Sequence, residues 1–172
     1  MTPSTLFYGG STTKAFTAAA MSLLVDDNDK YPEVQWNTPI SNLIRDDFVL
    51  ENAYATTHTT IEDALSHRSG MPAHDFSYGN TYDGHKGTPR DVVRSLRYLP
   101  LTAEPRTRYQ YCNMMFAVAA YIIETLEGMW LGDVLWDRIW KPLSMRSTVC
   151  ILFASFLFAP YICFMACSPR GS

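Results

Sequence analysis

Gly9-Gly10-Ser11-Thr12-Thr13-Lys14-Ala15-Phe16 sets a hydroxyl and an amine three residues apart at the expected start of a helix. Side chains at that spacing share one helical face. The two glycines permit a tight backbone entry, and Ala15, Phe16, Ala18, Ala19, Ala20, Met21, Leu23 and Leu24 follow as a long apolar run. Ser11 is therefore expected in the first turn, among unbonded backbone N–H groups and the positive end of the helix dipole. Such a terminus favours developing negative charge, and Lys14 is spaced to exchange the hydroxyl proton, which makes Ser11 a candidate nucleophile. Taken alone, the stretch fits an ordinary capped core helix equally well.

The rest of the composition narrows the classes. A chain of 172 residues with 47% hydrophobic and 18% charged residues suits one globular domain with a sizeable core. A net charge of -3, with lysines and arginines scattered rather than clustered, gives no footprint for nucleic acid. Cys112, Cys150, Cys163 and Cys167 form no C-x-x-C, and His58, His67, His74 and His85 are dispersed. Neither a metal site nor a disulfide framework is expected, and the cysteines read as buried free thiols. Lys14 and the apolar residues to Val25 imitate a signal peptide, but Asp26-Asp27-Asn28-Asp29 follows without a small-residue cleavage pattern. The run is read as a core helix, and a cytoplasmic location is the expectation.

Along the chain, Ile40, Leu43 and Ile44 predict a short helix after a Pro-punctuated loop. Thr59-Thr60-Ile61-Glu62 predicts a capping box, with Thr59 as cap and Glu62 reaching back, opening a helix to about His67 that stops at Gly70. A polar, aromatic loop continues to Gly87, long enough to suggest that it lines a site. Thr88-Pro89 reads as cap and first helical residue, with Val92, Val93, Leu96 and Leu99 forming one stripe. From Asn113 the run Met114 to Ile123 is apolar on all sides and ends at Gly128, as expected of a helix at the centre of a core. Trp130, Leu131, Val134, Leu135, Ile139 and Trp140 extend helical periodicity to Pro142. Several helices and almost no strand emerge.

A hydroxyl three residues before a lysine gains meaning if a phenol and an amide can reach the same pocket. Tyr111-Cys112-Asn113 offers both at the mouth of the central helix, although the tripeptide also fits a plain helix start with Asn113 as cap. Tyr78-Gly79-Asn80 repeats the pattern but reads as a turn.

Four ordered blocks, Gly10-Ser11-Thr12-Thr13-Lys14-Ala15-Phe16-Thr17-Ala18-Ala19, Ile61 to Pro72, Tyr109-Gln110-Tyr111-Cys112-Asn113 and Lys141-Pro142-Leu143-Ser144-Met145, resemble the beta-lactamase-related serine hydrolases. This family includes class C beta-lactamases, D-alanyl-D-alanine peptidases, esterases and fungal acyltransferases. The resemblance covers most of Leu6 to Thr148. It implies that Ser11 is the acyl-accepting nucleophile, Lys14 its base or proton relay, Tyr111 the partner base and Asn113 a substrate-positioning group. The Ser11 amide would be half of the oxyanion hole, and His67, Ser69 and Gly70 match a turn taken as structural. A small-molecule ester or amide is the implied substrate, with no metal and no organic cofactor.

The chain departs from the family pattern at three small places. Arg106 and Ser144 stand where glycine is common, and Cys112 stands where serine is frequent. The larger departure is that the family's leading helix and strands, and its closing K-T-G or H-x-G-like strand, are not found. The expected fold is thus mostly α, the helical subdomain of an α+β beta-lactamase/transpeptidase-like fold with most of the antiparallel sheet missing and both ends truncated. Residues 1–148 are expected to form this partial domain and 149–172 an apolar tail outside the family pattern. No charge interrupts Val149 to Cys167, but Pro160 breaks it, so a membrane-associating tail is the rival reading. Two function classes stay open: acyl transfer through an acyl-serine, or a non-catalytic chain that binds a ligand or partner. A structure in which Ser11, Lys14 and Tyr111 lie apart would instead favour an unrelated helical domain.

Overall fold

The structure is a computed structural model and describes residues 5–77, 81–82, 85–152 and 161–166. Strand β1 (Leu6–Tyr8) leads through Gly9 into one 3-10 turn, Gly10–Thr12, which feeds helix α1 (Thr13–Asp26). Gly10 has φ +51°, a left-handed conformation that suits glycine, and the Thr12 hydroxyl donates to the Gly9 carbonyl at 2.7 Å. Ser11 therefore sits in the 3-10 turn before α1, not in the first α-helical turn. On α1, Thr13, Thr17, Ala20, Met21, Leu24 and Val25 are buried along one face, as the 3.6-residue period requires.

Short helices α2 (Ile40–Leu43), α3 (Ala53–His58) and α4 (Ile61–Leu65) follow. The sequence reading missed α3, whose cap is Asn52, its side chain accepting from the Ala55 amide. The capping box of α4 is shifted by one residue from expectation: Thr60 is the cap and Asp63 the reciprocating acid. Thr59 is instead committed to its neighbours, donating its amide to Ala55 and accepting from Ile40. Asp63 is fully buried and is gripped by Arg68 and Arg106. Burial would push its carboxyl up, but the Arg106 guanidinium and the Thr60 amide and hydroxyl hold it below its ordinary value. Helix α4 stops two residues short of the predicted end because His67 turns to φ +59°.

A two-stranded hairpin of β2 (Thr81–Tyr82) and β3 (His85–Lys86) precedes α5 (Pro89–Ser95), capped by Thr88 in a box with Asp91. A 3-10 turn, Leu96–Tyr98, extends α5 and ends just before Leu99-Pro100. The Tyr78-Gly79-Asn80 repeat lies outside the described residues. Helix α6 (Asn113–Glu127) is the centre of the core, with α1, α4, α5 and α7 (Leu131–Leu135) packed against it. Its cap is Cys112, so Asn113 is the first helical residue, and Gly128 at φ +68° ends it as predicted. Past α7 the chain widens into a π-helical turn, Trp136–Trp140, and Trp140 meets Phe16 of α1 edge to face at 5.5 Å.

The sheet differs most from expectation. Strands β4 (Thr148–Leu152) and β5 (Tyr161–Ala166) pair antiparallel with Cys150 opposite Cys163, and β1 pairs with the other side of β5, Leu6 opposite Ala166. The order is β1-β5-β4. Residues expected to form an apolar tail outside the family pattern thus supply β5 and most of β4, and β4 runs across the boundary set at 148. A strand with neighbours on both sides commonly reads as a continuous apolar run, which periodicity cannot tell from other buried segments. Among the described residues no single helix is long and apolar enough to cross a membrane.

Candidate active site

Three elements deliver the site. The 3-10 turn supplies Ser11, the first turn of α1 supplies Lys14, and the strand-like segment before α6 supplies Tyr111. That last segment is fixed by a ladder of backbone bonds to the turn after α4. The amides of Gln110 and Arg106 donate to the carbonyls of His67 and Arg68, both at 2.7 Å, and Thr102 donates to Gly70 at 3.1 Å. Gly70 has φ +84°, and a Cβ there would lie 2.1 Å from the Ala103 carbonyl oxygen, so only glycine allows the two segments to approach this closely.

The expected side chains converge. Ser11 Oγ and Tyr111 Oη are 2.7 Å apart, and Lys14 Nζ donates to Ser11 Oγ at 3.1 Å. Lys14 Nζ also donates to Asn113 Oδ1 at 2.6 Å and lies 4.9 Å from the centre of the Tyr111 ring. Ser11 and Tyr111 open to solvent, Lys14 is half-buried, and Asn113 is buried. A hydroxyl set between a tyrosine oxygen and a lysine nitrogen can pass its proton to that pair once either member is deprotonated, as amine or phenolate. The third reading, an unrelated helical domain, required these groups to lie apart.

Two further residues belong to this constellation. Asn113 Nδ2 donates to Asp75 Oδ1 at 3.0 Å, and Asp75 lines an open groove of about 510 Å³ with Ala73, His74, Phe76 and Ser77. Nothing in the local pattern around Asp75 singled it out; the length of its loop was the one available signal. His67, read as structural, is buried beneath Tyr111, with ring centres 4.4 Å apart. Its Nδ1 accepts from the Cys112 amide at 3.1 Å, so a neutral ring carries its proton on Nε2. Burial, then the positive charge of Lys14, hold the imidazole below its ordinary value. Burial pushes the neighbouring Cys112 thiol up to about 11, so it stays protonated and unreactive beside the site. Among the described residues no cluster of three His, Cys, Asp or Glu side chains could hold a metal ion.

Comparison with known proteins adds an independent line. The beta-lactamase family pattern matches residues 1–153. An unguisins hydrolase of Aspergillus campestris is 63% identical over 148 residues, covering 86% of this chain and 28% of that protein. An unguisins hydrolase of Aspergillus violaceofuscus is 60% identical over 144 residues, covering 84% and 25%. Among solved structures, D-amino acid amidase from Ochrobactrum anthropi SV3, in complex with D-phenylalanine, aligns with a TM-score of 0.69 at 29% identity, covering 92% of this chain and 48% of that one. The chain thus spans about a quarter of the length of these curated relatives.

Proposed function

The chain belongs to the beta-lactamase family, and from that premise we propose that it carries the nucleophile half of a serine hydrolase acting on an amide or ester through an acyl-serine. The observation that carries this reading is the meeting of Ser11 Oγ with Tyr111 Oη at 2.7 Å and with Lys14 Nζ at 3.1 Å. Ser11 Oγ attacks the carbonyl carbon while its proton passes to the Lys14/Tyr111 pair, which enters the step one proton short, as a neutral amine or a phenolate. The Ser11 backbone amide faces the oxyanion. The tetrahedral adduct collapses as the carbon–nitrogen or carbon–oxygen bond breaks, and the pair returns the proton to the leaving group. Water, deprotonated by the same pair, then releases the acid and restores Ser11. Asn113 orients the substrate. The name of one neighbour, a D-amino acid amidase, favours an amide over an ester.

Intact-mass analysis after exposure to a fluorophosphonate or a penicillin-type compound tests the reading. Wild type gains one adduct, Ser11→Ala gains none, and Tyr111→Phe is acylated about a hundredfold more slowly, the scale of a lost general base. A folded wild type that takes up neither compound would leave the non-catalytic reading in its place.

A further inference from the structure

Asn113 is held from both ends of its side chain, with Oδ1 accepting from Lys14 Nζ at 2.6 Å and Nδ2 donating to Asp75 Oδ1 at 3.0 Å. Turning the carboxamide over would aim its NH2 at the Lys14 ammonium and its oxygen at the Asp75 carboxylate, so both contacts would turn repulsive. Asn113 is only 6% exposed, so water replaces neither partner cheaply. Lys14 selects the orientation at one end, and Asp75 adds a charge-assisted bond at the other. The Asp75 loop is itself anchored: the Ser77 hydroxyl and amide both bond the His74 carbonyl, at 2.6 and 2.9 Å, and His74 Nε2 bonds the Pro100 carbonyl at 3.0 Å.

We propose that Asp75 is a positioning residue that fixes the orientation of the Asn113 side-chain amide and, through it, the direction of the N–H that Asn113 offers to a substrate carbonyl. This rests on the reading of Ser11 as nucleophile only for its catalytic consequence; the orientation of Asn113 is a property of the resting protein. With one Nδ2 hydrogen committed to Asp75 and Oδ1 to Lys14, the other Nδ2 hydrogen is left for a substrate carbonyl. An amide substrate uses that hydrogen, whereas a fluorophosphonate brings no acyl carbonyl to it.

Nuclear magnetic resonance of the 15N-labelled 172-residue chain tests the orientation directly, with the Asn113 side-chain pair assigned by its loss in Asn113→Ala. The wild-type pair has one proton moved well downfield of the other. Asp75→Leu brings the two together, and Asp75→Asn, whose carbonyl still accepts from Nδ2, keeps most of the separation. In the same variants, acylation by a penicillin-type amide falls about ten- to a hundredfold in Asp75→Leu and returns in Asp75→Asn, while fluorophosphonate labelling stays within about twofold. A pair that does not change in Asp75→Leu overturns the proposal. So does a folded Asp75→Leu that loses acylation by the amide and labelling by the fluorophosphonate equally. A wild type that takes neither compound sinks the nucleophile reading alone, because the spectrum still decides the role of Asp75.

Discussion

A serine hydroxyl attacks well only when its proton has somewhere to go, and in the proposed reaction of Ser11 that depends on Tyr111 being held at hydrogen-bond distance across one hundred residues of sequence. His67 supplies part of that hold, because its ring packs on Tyr111 while its Nδ1 accepts the amide of the next residue, Cys112. A neutral imidazole is required for the second contact, which gives a pH signature. The folded-state value of His67 is depressed relative to 6.5, so the unfolded chain takes up its proton first as pH falls. The stability contributed by neutral His67 is present above pH 6.5 and is lost as pH falls through the lower folded value. Urea unfolding between pH 7.5 and about 5 should show a midpoint that declines below about 6.5 in wild type. His67→Asn keeps an acceptor and tolerates the left-handed backbone, and its decline should be flatter. An unchanged slope would remove His67 as the source. Asp63 and Asp47 have depressed values too, but they act at more acid pH, below 3.8. Ser11, Lys14, Tyr111 and Asn113 could be named from the sequence because their spacing is a local pattern; Asp75 and His67 acquire their meaning from partners 38 and 45 residues away.

Turns and caps decide where the elements begin and end, and glycine geometry can be tested there. Arg106 and Ser144, the two positions where the sequence departs from a usual glycine, have φ +71° and +56°. The substitutions therefore retain a glycine-like backbone that costs a branched-at-Cα residue about 1 kcal/mol. Arg106 offsets this by gripping Asp63 and donating to the His58 carbonyl at 2.9 Å, whereas Ser144 is exposed. Ser144→Gly is thus expected to raise unfolding free energy by about 1 kcal/mol. Gly70→Ala should lower it by about 3 kcal/mol, since both its φ and the Ala103 carbonyl oppose a Cβ. Urea denaturation measures both, and a neutral Gly70→Ala would mean that the turn relaxes freely. The start of α5 at Thr88 and the end of α6 at Gly128 were legible because cap chemistry is written within a few residues, whereas α6 begins behind Cys112 without a side-chain cap. The one-residue error at Thr59 arose because Thr59 and Thr60 are chemically alike, and only the burial of Asp63 chooses between them.

At the scale of the whole molecule, the central strand β5 lies against the Gly10–Thr12 turn as well as between β1 and β4. Sheet and serine turn are therefore one structural unit, and β5 reaches the candidate site from more than one hundred and forty residues along the chain. A version ending at Thr148 should lose Ser11 labelling by fluorophosphonate by about tenfold or more, because the serine turn loses a wall. Equal labelling of the two forms would show that the strands are dispensable to the site. Read alone, the sequence was enough for the Ser11–Lys14 segment, the central apolar helix, the Tyr111-Cys112-Asn113 block and the family they resemble, because helical period, caps and short motifs are properties of neighbouring residues. Only the tertiary structure decided that residues 148–152 and 161–166 are strands, that β5 takes the middle of the sheet, and that Asp75 and His67 stand behind Asn113 and Tyr111. Strand pairing and buried polar contacts join residues far apart in the chain, and their free energy is realised only when the fold brings the partners together.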